Sequence, residues 1–360
     1  MQTILPGRIA AALAITTASM RNLLTRVPLQ AAALCLAFTS SGAYAETPRI
    51  MVITSDPQYP WTPATDDGEH SDLADKTLAE ALIREQYESI AAFRRNYPGQ
   101  HIPVIVNGDL TSQAAPSEQE KIHDLLGLLG DEVYYGLGNH DYQNNLTNFV
   151  CSALTHCAID ALDNLAQHVR RHRQNGRVTD FDYAAFAGGL FTGLRKEGSW
   201  SYAFTPDGWE QVLNLQLNNS PGYAATINWG AGPAGYRYEV TPSTPWLTRH
   251  LPRWSTPGAY DFLLVHVHKP DEFSTGSRAP TPLQAMLATH RVAAVFAGHY
   301  HGRMGYYSGG FGAPPVFLSG SASQRTYLIV EHWPESKKLK VYGVRENDPA
   351  RRELIREIDV

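Results

Sequence analysis

Gly138-Asn139-His140-Asp141 stands directly behind an apolar run, Val133-Tyr134-Tyr135-Gly136-Leu137. The run reads as a buried strand. The four residues then fall at its C-terminal mouth, where α/β folds place ligands. Asn139 offers a neutral oxygen to a metal ion, His140 can give a proton, and Asp141 can hold the imidazole in one tautomer. A polar turn capping a strand would look the same in isolation. The weight therefore rests on whether other strand ends repeat the pattern.

They do, in chain order. Ile50 to Thr54 is an apolar run that leads into Asp56-Pro57-Gln58, and Ile102 to Val106 leads into Gly108-Asp109. Tyr260 to Val267 carries His266 and ends in His268-Lys269-Pro270, and Val292 to Ala297 ends in Gly298-His299-Tyr300-His301. Alternate residues of an extended segment point to one side, so Asp56 and Gln58 can address one centre. Between these strands, residues 74–95 repeat apolar positions at helical spacing and stop at Pro98-Gly99, and residues 117–129 form a second helical stretch. Strand, helix, strand, helix, strand argues for an α/β core with its strand ends on one side. Residues 142–198 interrupt the alternation and read as an insertion over the strand mouths, with a basic helix-like run from Gln167 to Arg173. Residues 219–243 read as a Gly/Pro/Tyr-rich loop, and residues 315–345 as three further strands. No repeat or low-complexity tract is present.

The N-terminal residues 1–45 have an export-signal layout. Arg21 and Arg26 flank its start, an apolar run spans Ala31 to Phe38, and Ala43-Tyr44-Ala45 provides a small-x-small cleavage site. The apolar run is too short for a permanent membrane span. Removal of this segment loses three arginines and no acid, taking the formal charge from -5 to -8. Such a chain is a poor partner for long nucleic acid or anionic lipid. Cys151 and Cys157 remain, an even count at close spacing that suggests a disulfide in an exported chain, periplasmic or secreted. Nothing in the sequence fixes an oligomeric state.

The five ligand-bearing blocks, in this order and each at a strand end, resemble the calcineurin-like metallophosphoesterases over roughly residues 49–330. The resemblance implies a four-layer αββα sandwich of the α/β class, with two divalent metal ions at its edge. Asp56 and His301 would hold the first ion, Asn139, His268 and His299 the second, and Asp109 both. A bridging hydroxide would attack phosphorus, with His140 facing a small phosphoester substrate and Asp141 behind it. Two ions about 3.5–4 Å apart suit this chemistry because they clamp the attacking and leaving oxygens.

The first block departs from the family's Asp-x-His, since Gln58 stands at the third position. A carbonyl oxygen there makes the first site oxygen-rich and tilts it from Zn²⁺ toward Mn²⁺ or iron, with Mg²⁺ also compatible. Gln58 also supports a rival reading, a secreted binding protein with a vestigial metal site. His266 reads as packed. Tyr59, Trp61, Tyr142, Tyr223, Trp229 and Tyr300 are placed near the mouth, the first three of these directly after ligand blocks. Asp66-Asp67-Gly68-Glu69 reads as a solvated loop, lacking the spacing of a calcium loop.

Overall fold

A computed structural model describes residues 46–69, 72–147, 151, 156–188, 193–230, 235–273, 280–308 and 313–360. The expected export signal at residues 1–45 lies outside the described residues. No helix among them is long and apolar enough to cross a membrane.

Two sheets lie face to face. The first has six strands in the order Glu353–Asp359, Lys338–Val344, Tyr327–Trp333, Arg49–Thr54, Val104–Val106, Val133–Tyr135. Its last three are parallel, with Val52 opposite Val104 and Val104 opposite Val133. They are continuous apolar runs because both faces are covered. On one face Thr54 Oγ1 donates to Gln86 Oε1 of helix Asp72–Arg95 at 2.8 Å. On the other, Ser55 meets Ser319 of the second sheet, Oγ to Oγ, at 2.8 Å.

The second sheet has seven strands, ordered Met304–Ser308, Val316–Ser319, Val292–Ala297, Phe262–Val267, Val212–Gln216, Tyr202–Phe204, Val178–Phe181. Alternation along Phe262–Val267 divides its side chains between two cores. Phe262 and Leu264 join the core shared with the first sheet. Leu263, Val265 and Val267 pack with Trp246, Leu247 and Leu251 of helix Thr244–Trp254 and with Leu283 and Leu287 of helix Pro282–Ala288. Helices Asp72–Arg95 and Pro116–Leu126 pack into the core of the first sheet. The result is the expected α/β sandwich. Buried polar groups bridge the sheets: Trp209 Nε1 donates to Ile50 O at 3.0 Å, and Tyr202 OH to Tyr135 O at 2.9 Å.

Residues 219–243 are not a plain loop. Ala225–Trp229 pairs antiparallel with Tyr236–Val240, which continues through Leu194–Gly198 to Ala184–Phe186 as a third, four-stranded sheet. Gly and Pro are frequent around a strand in which Arg237 is exposed and Glu239 half-buried while Tyr238 and Val240 are buried. That alternation is the better guide. The stretch 142–198 supplies helix Cys157–Gln174, an edge strand of the second sheet and two strands of the third. Cys151 and Cys157 are joined as a disulfide, Cα to Cα 4.9 Å. Lys196, Asp163 and Tyr238 form a closed polar triangle that fastens the helix to the third sheet, with Tyr238 OH donating to Asp163 Oδ2 at 2.9 Å and Lys196 Nζ to Tyr238 OH at 2.8 Å.

Several histidines are core groups. His266 donates from Nε2 to Asn214 Oδ1 (3.0 Å) and stacks near Phe296, and burial lowers its pKa to about 3. It is packed, as expected from its place on the strand. His172 lies against Tyr134 and donates from Nε2 to Val133 O at 3.0 Å; burial, only partly opposed by that bond, lowers it to about 4. His332 is also lowered by burial to about 4. Unfolding frees such groups to bind protons with a pKa near ~6.5, so the unfolded state takes up more protons as pH falls from about 6.5 to 4. Stability should therefore decline through that window. His172→Phe, which keeps the ring contact but cannot titrate, should make urea-unfolding free energy less steeply pH-dependent by on the order of 1–3 kcal/mol across it. An unchanged slope would show that His172 titrates alike in both states.

Candidate metal centre

The turns after five strands meet at one edge of the sandwich. Asp56, Asp109 and Asn139 follow three adjacent parallel strands of the first sheet, and His268, His299 and His301 follow two adjacent parallel strands of the second. Asp56, Gln58, Asp109 and His299 hold left-handed backbone angles, φ 49°, 38°, 45° and 75°. Such angles in residues other than glycine concentrate at functional sites. Glycine is needed beside them. A Cβ at Gly138 would collide with Asp109 Oδ1, so the Asn139 turn closes on Asp109 only with glycine there.

His268 is fully buried, and its Nδ1 lies 3.0 Å from Asn107 O. A carbonyl can only accept, so Nδ1 carries the hydrogen and Nε2 is left to face Asp109 Oδ2 at 3.0 Å and Asn139 Oδ1 at 3.1 Å. Asp109, His268 and His299 each offer a ligand atom within 4.8 Å of the others. The acceptors converge on a point that asks for a proton or a cation. Burial opposes charge on His268, yet the carboxylates of Asp109 and Asp56 outweigh it and raise the ring to about 9. His299 goes the other way, lowered to about 4 by burial and then by the charge on His268, which keeps it in the neutral form that ligates. For Asp109, burial pushes upward but the charge and hydrogen bond of His268 prevail, and its pKa is lowered.

Asp56 Oδ2 accepts from His299 N at 3.0 Å, while its buried Oδ1 has no hydrogen-bond partner among the described residues and lies 3.3 Å from His301 Nε2. The Gln58 side chain is fully buried, and neither of its polar atoms has a partner among the described residues. Its backbone N donates to Asp109 O at 2.8 Å, which seats it beside Asp109. A buried, unpaired polar atom costs about 1–3 kcal/mol, so these orphaned oxygens fit a cation. The donor set, carboxylates, amide oxygens and imidazoles, is one that divalent transition ions accept.

His140 donates its backbone N–H to Asp109 Oδ1 at 2.8 Å, and its Nδ1 lies 2.9 Å from Ser112 O. The carbonyl again assigns the hydrogen to Nδ1. The ring lines an open cleft of about 600 Å³ with Trp61, Asp66, Tyr300, Arg303 and Gln324. Asp141 does not orient this ring. Its buried carboxylate accepts from Leu110 N (3.1 Å), Thr111 N (3.0 Å), Thr111 Oγ1 (2.8 Å) and Gly138 N (2.9 Å). Burial and then the charge of Asp109 raise its pKa against the pull of those donors. Ser112, not Asp141, fixes the imidazole.

The loop at residues 66–69 is not simply solvated. Asp66 accepts from His301 Nδ1 and Trp61 Nε1, both at 2.7 Å, and from Gln324 Nε2 at 3.0 Å. Of the aromatics placed near the mouth, Trp61 and Tyr300 line the cleft, whereas Tyr59 and Tyr142 are buried and Tyr142 packs edge-on to Tyr223. Trp229 packs against His156. Sequence reasoning did not single out Asn107, Ser112, Thr111 or Asp66. The contacts of the first two run through backbone carbonyls, which every residue has.

The calcineurin-like phosphoesterase family model matches residues 51–303. No curated protein matches the chain. Among solved structures, the chain is similar to TT1561 of Thermus thermophilus (15% identity, covering 82% of this chain and 98% of that one, TM-score 0.40). It is also similar to a 5'-nucleotidase from Candida albicans (14%, 79% and 47%, TM-score 0.42) and to the sulfate thiohydrolase SoxB of Thermus thermophilus (10%, 85% and 58%, TM-score 0.42). The chain spans about half the length of that nucleotidase. With ligand-type side chains from five strand ends gathered at one edge and the family model covering most of its length, the chain belongs to the calcineurin-like phosphoesterases.

Proposed function

We propose that this phosphoesterase is exported and works on a small phosphoester with two divalent ions, Asp56, Gln58 and His301 serving one, Asn139, His268 and His299 the other, and Asp109 both. The observation that carries this is the convergence of Asp109 Oδ2, Asn139 Oδ1 and His268 Nε2 on one point, beside a buried Asp56 Oδ1 and a Gln58 side chain that have no hydrogen-bond partner among the described residues. Ions bound there supply positive charge toward the phosphoryl oxygens and acidify coordinated water. The cleft of about 600 Å³ suits a small molecule, and the acidic chain disfavours long nucleic acid. The Cys151–Cys157 disulfide fits an oxidising compartment.

His140 is the proton donor to the leaving oxygen in this reading. Ser112 O holds Nδ1–H, so the ring turns Nε2 to the substrate, and it donates from Nε2 as the imidazolium, returning to the neutral Nδ1–H tautomer once the leaving oxygen has taken the proton. Asp109 Oδ1 accepts from the His140 backbone, which ties the donor's position to the shared carboxylate. Asp141 keeps both turns in register through its four donors.

His140→Ala should leave metal content unchanged and lower the rate on alkyl phosphoesters by about 10²–10⁴-fold, with a smaller loss on nitrophenyl esters, whose leaving groups need no proton. Metal analysis with both rates decides it; lost metal, or equal losses on the two ester types, would move His140 out of the donor role. Asp109→Asn should release metal and activity together, since a neutral amide bridges two cations poorly. Full metal content and rate in that variant would remove Asp109 from the centre. Asp141→Asn places an amide N–H₂ where two donors now point. It should cost roughly 2–3 kcal/mol of stability and loosen metal retention, measured by chemical denaturation and by dialysis against chelator; unchanged stability would contradict the clamp.

A further inference from the structure

His301 is the ligand candidate with the most unusual support. Its Nε2 lies 3.3 Å from Asp56 Oδ1, the oxygen without a hydrogen-bond partner among the described residues, and its Nδ1 lies 2.7 Å from Asp66 Oδ1. Asp66 is fixed in turn. It ends the short helix Pro63–Asp66, whose capping Thr62 accepts from Thr65 N at 3.3 Å while Thr65 Oγ1 accepts from Thr62 N at 3.2 Å. Its two oxygens also receive Trp61 Nε1 at 2.7 Å, Gln324 Nε2 at 3.0 Å and Ser323 Oγ at 3.4 Å. Trp61 meets the rings of His301 and His140 edge-on, at centroid distances of 5.9 and 5.1 Å.

A carboxylate that accepts the far N–H of a ligating imidazole fixes its tautomer and strengthens its donor nitrogen. We propose that Asp66 is a positioning residue for the metal site of Asp56 and Gln58, presenting His301 Nε2 to the ion and offsetting the weaker donation of the Gln58 amide. The same carboxylate ties Trp61, at the cleft wall, to occupancy of that site. This rests on the two-metal reading above.

The test is direct Mn²⁺ titration of the metal-stripped full-length protein, with bound metal counted and Trp emission followed. The wild type should take up two ions, and binding at one of them should change an emission signal that Trp61→Phe removes. Asp66→Asn, which keeps the shape and loses the charge, should weaken one ion by about 10–100-fold and leave the other in place. The Trp61 signal should shift to higher Mn²⁺ by the same factor. Asp66→Glu should recover much of the affinity. Thermal stability in chelator measures the cost of the altered Asp66 hydrogen bonds by itself; Asp66→Asn should remain folded there at the titration temperature, so that the weakened ion is read apart from that cost. Asp66→Ser gives the same comparison if the amide disturbs the turn. Two ions bound by Asp66→Asn with wild-type affinity would overturn the role of Asp66 and leave the two-metal reading intact. A wild type that binds no Mn²⁺, Zn²⁺ or iron would overturn both.

Discussion

The carboxylate of Asp141 accepts four hydrogen bonds. Three come from the turn after Val104–Val106, from Leu110 N, Thr111 N and the Thr111 hydroxyl, and one comes from Gly138 N at the head of the next turn. Those two turns carry Asp109 on one side and Asn139 with His140 on the other. Adjacent parallel strands bring them to within a sheet spacing of each other, but only a group bonded to both sets their mutual register. An ionised carboxylate suits this because it can only accept, while the three N–H groups can only donate and the hydroxyl is free to do so. Its burial beside Asp109 puts two carboxyl groups in one low-dielectric region, and the raised pKa of Asp141 records that burial and repulsion.

The same repulsion shapes the centre. Asp56, Asp109 and Asp141 are all buried, and such charges persist only where opposite charge or donors answer them. Asp141 is answered by N–H groups. Asp109 and Asp56 are answered by histidines, and His268 and His301 are raised to about 9 and about 10, the latter against burial by the bonds and charges of Asp56 and Asp66. Protonated histidines are one way to neutralise this cluster. Divalent ions are another, and they compete for the same nitrogen lone pairs. Mildly acidic solution therefore works against metal binding here through the very carboxylates that attract it.

Much of this could be read from the chain. Ligand-type residues behind apolar runs located the centre because the strand ends are marked by burial on one side and glycine on the other. The misreadings have a common cause. Asp141 follows His140 in sequence, yet successive residues diverge in direction, so adjacency said little about contact. Asp66 pairs with a histidine 235 positions away, beyond any local pattern. The third sheet was hidden because Gly and Pro in the surrounding stretch masked the alternation of Tyr236 to Val240. The charged edge strand Glu353–Asp359 is mostly exposed, so it lacks the apolar signature of a core strand.

The two ion sites proposed for the centre are not equivalent, and the difference lies behind their candidate ligands. His268 is backed by a neutral carbonyl, Asn107 O, whereas His301 is backed by a carboxylate, Asp66. A carbonyl fixes the tautomer but adds little negative charge; a carboxylate does both. The charged support falls on the side where Gln58 replaces the expected imidazole. The side with two histidines, His268 and His299, has no comparable need. In the proposed two-ion reading, a neutral amide ligand and an anion behind the neighbouring histidine would together keep the donor strength of the Asp56 side up while leaving it rich in oxygen, a combination that would accommodate harder ions such as Mn²⁺.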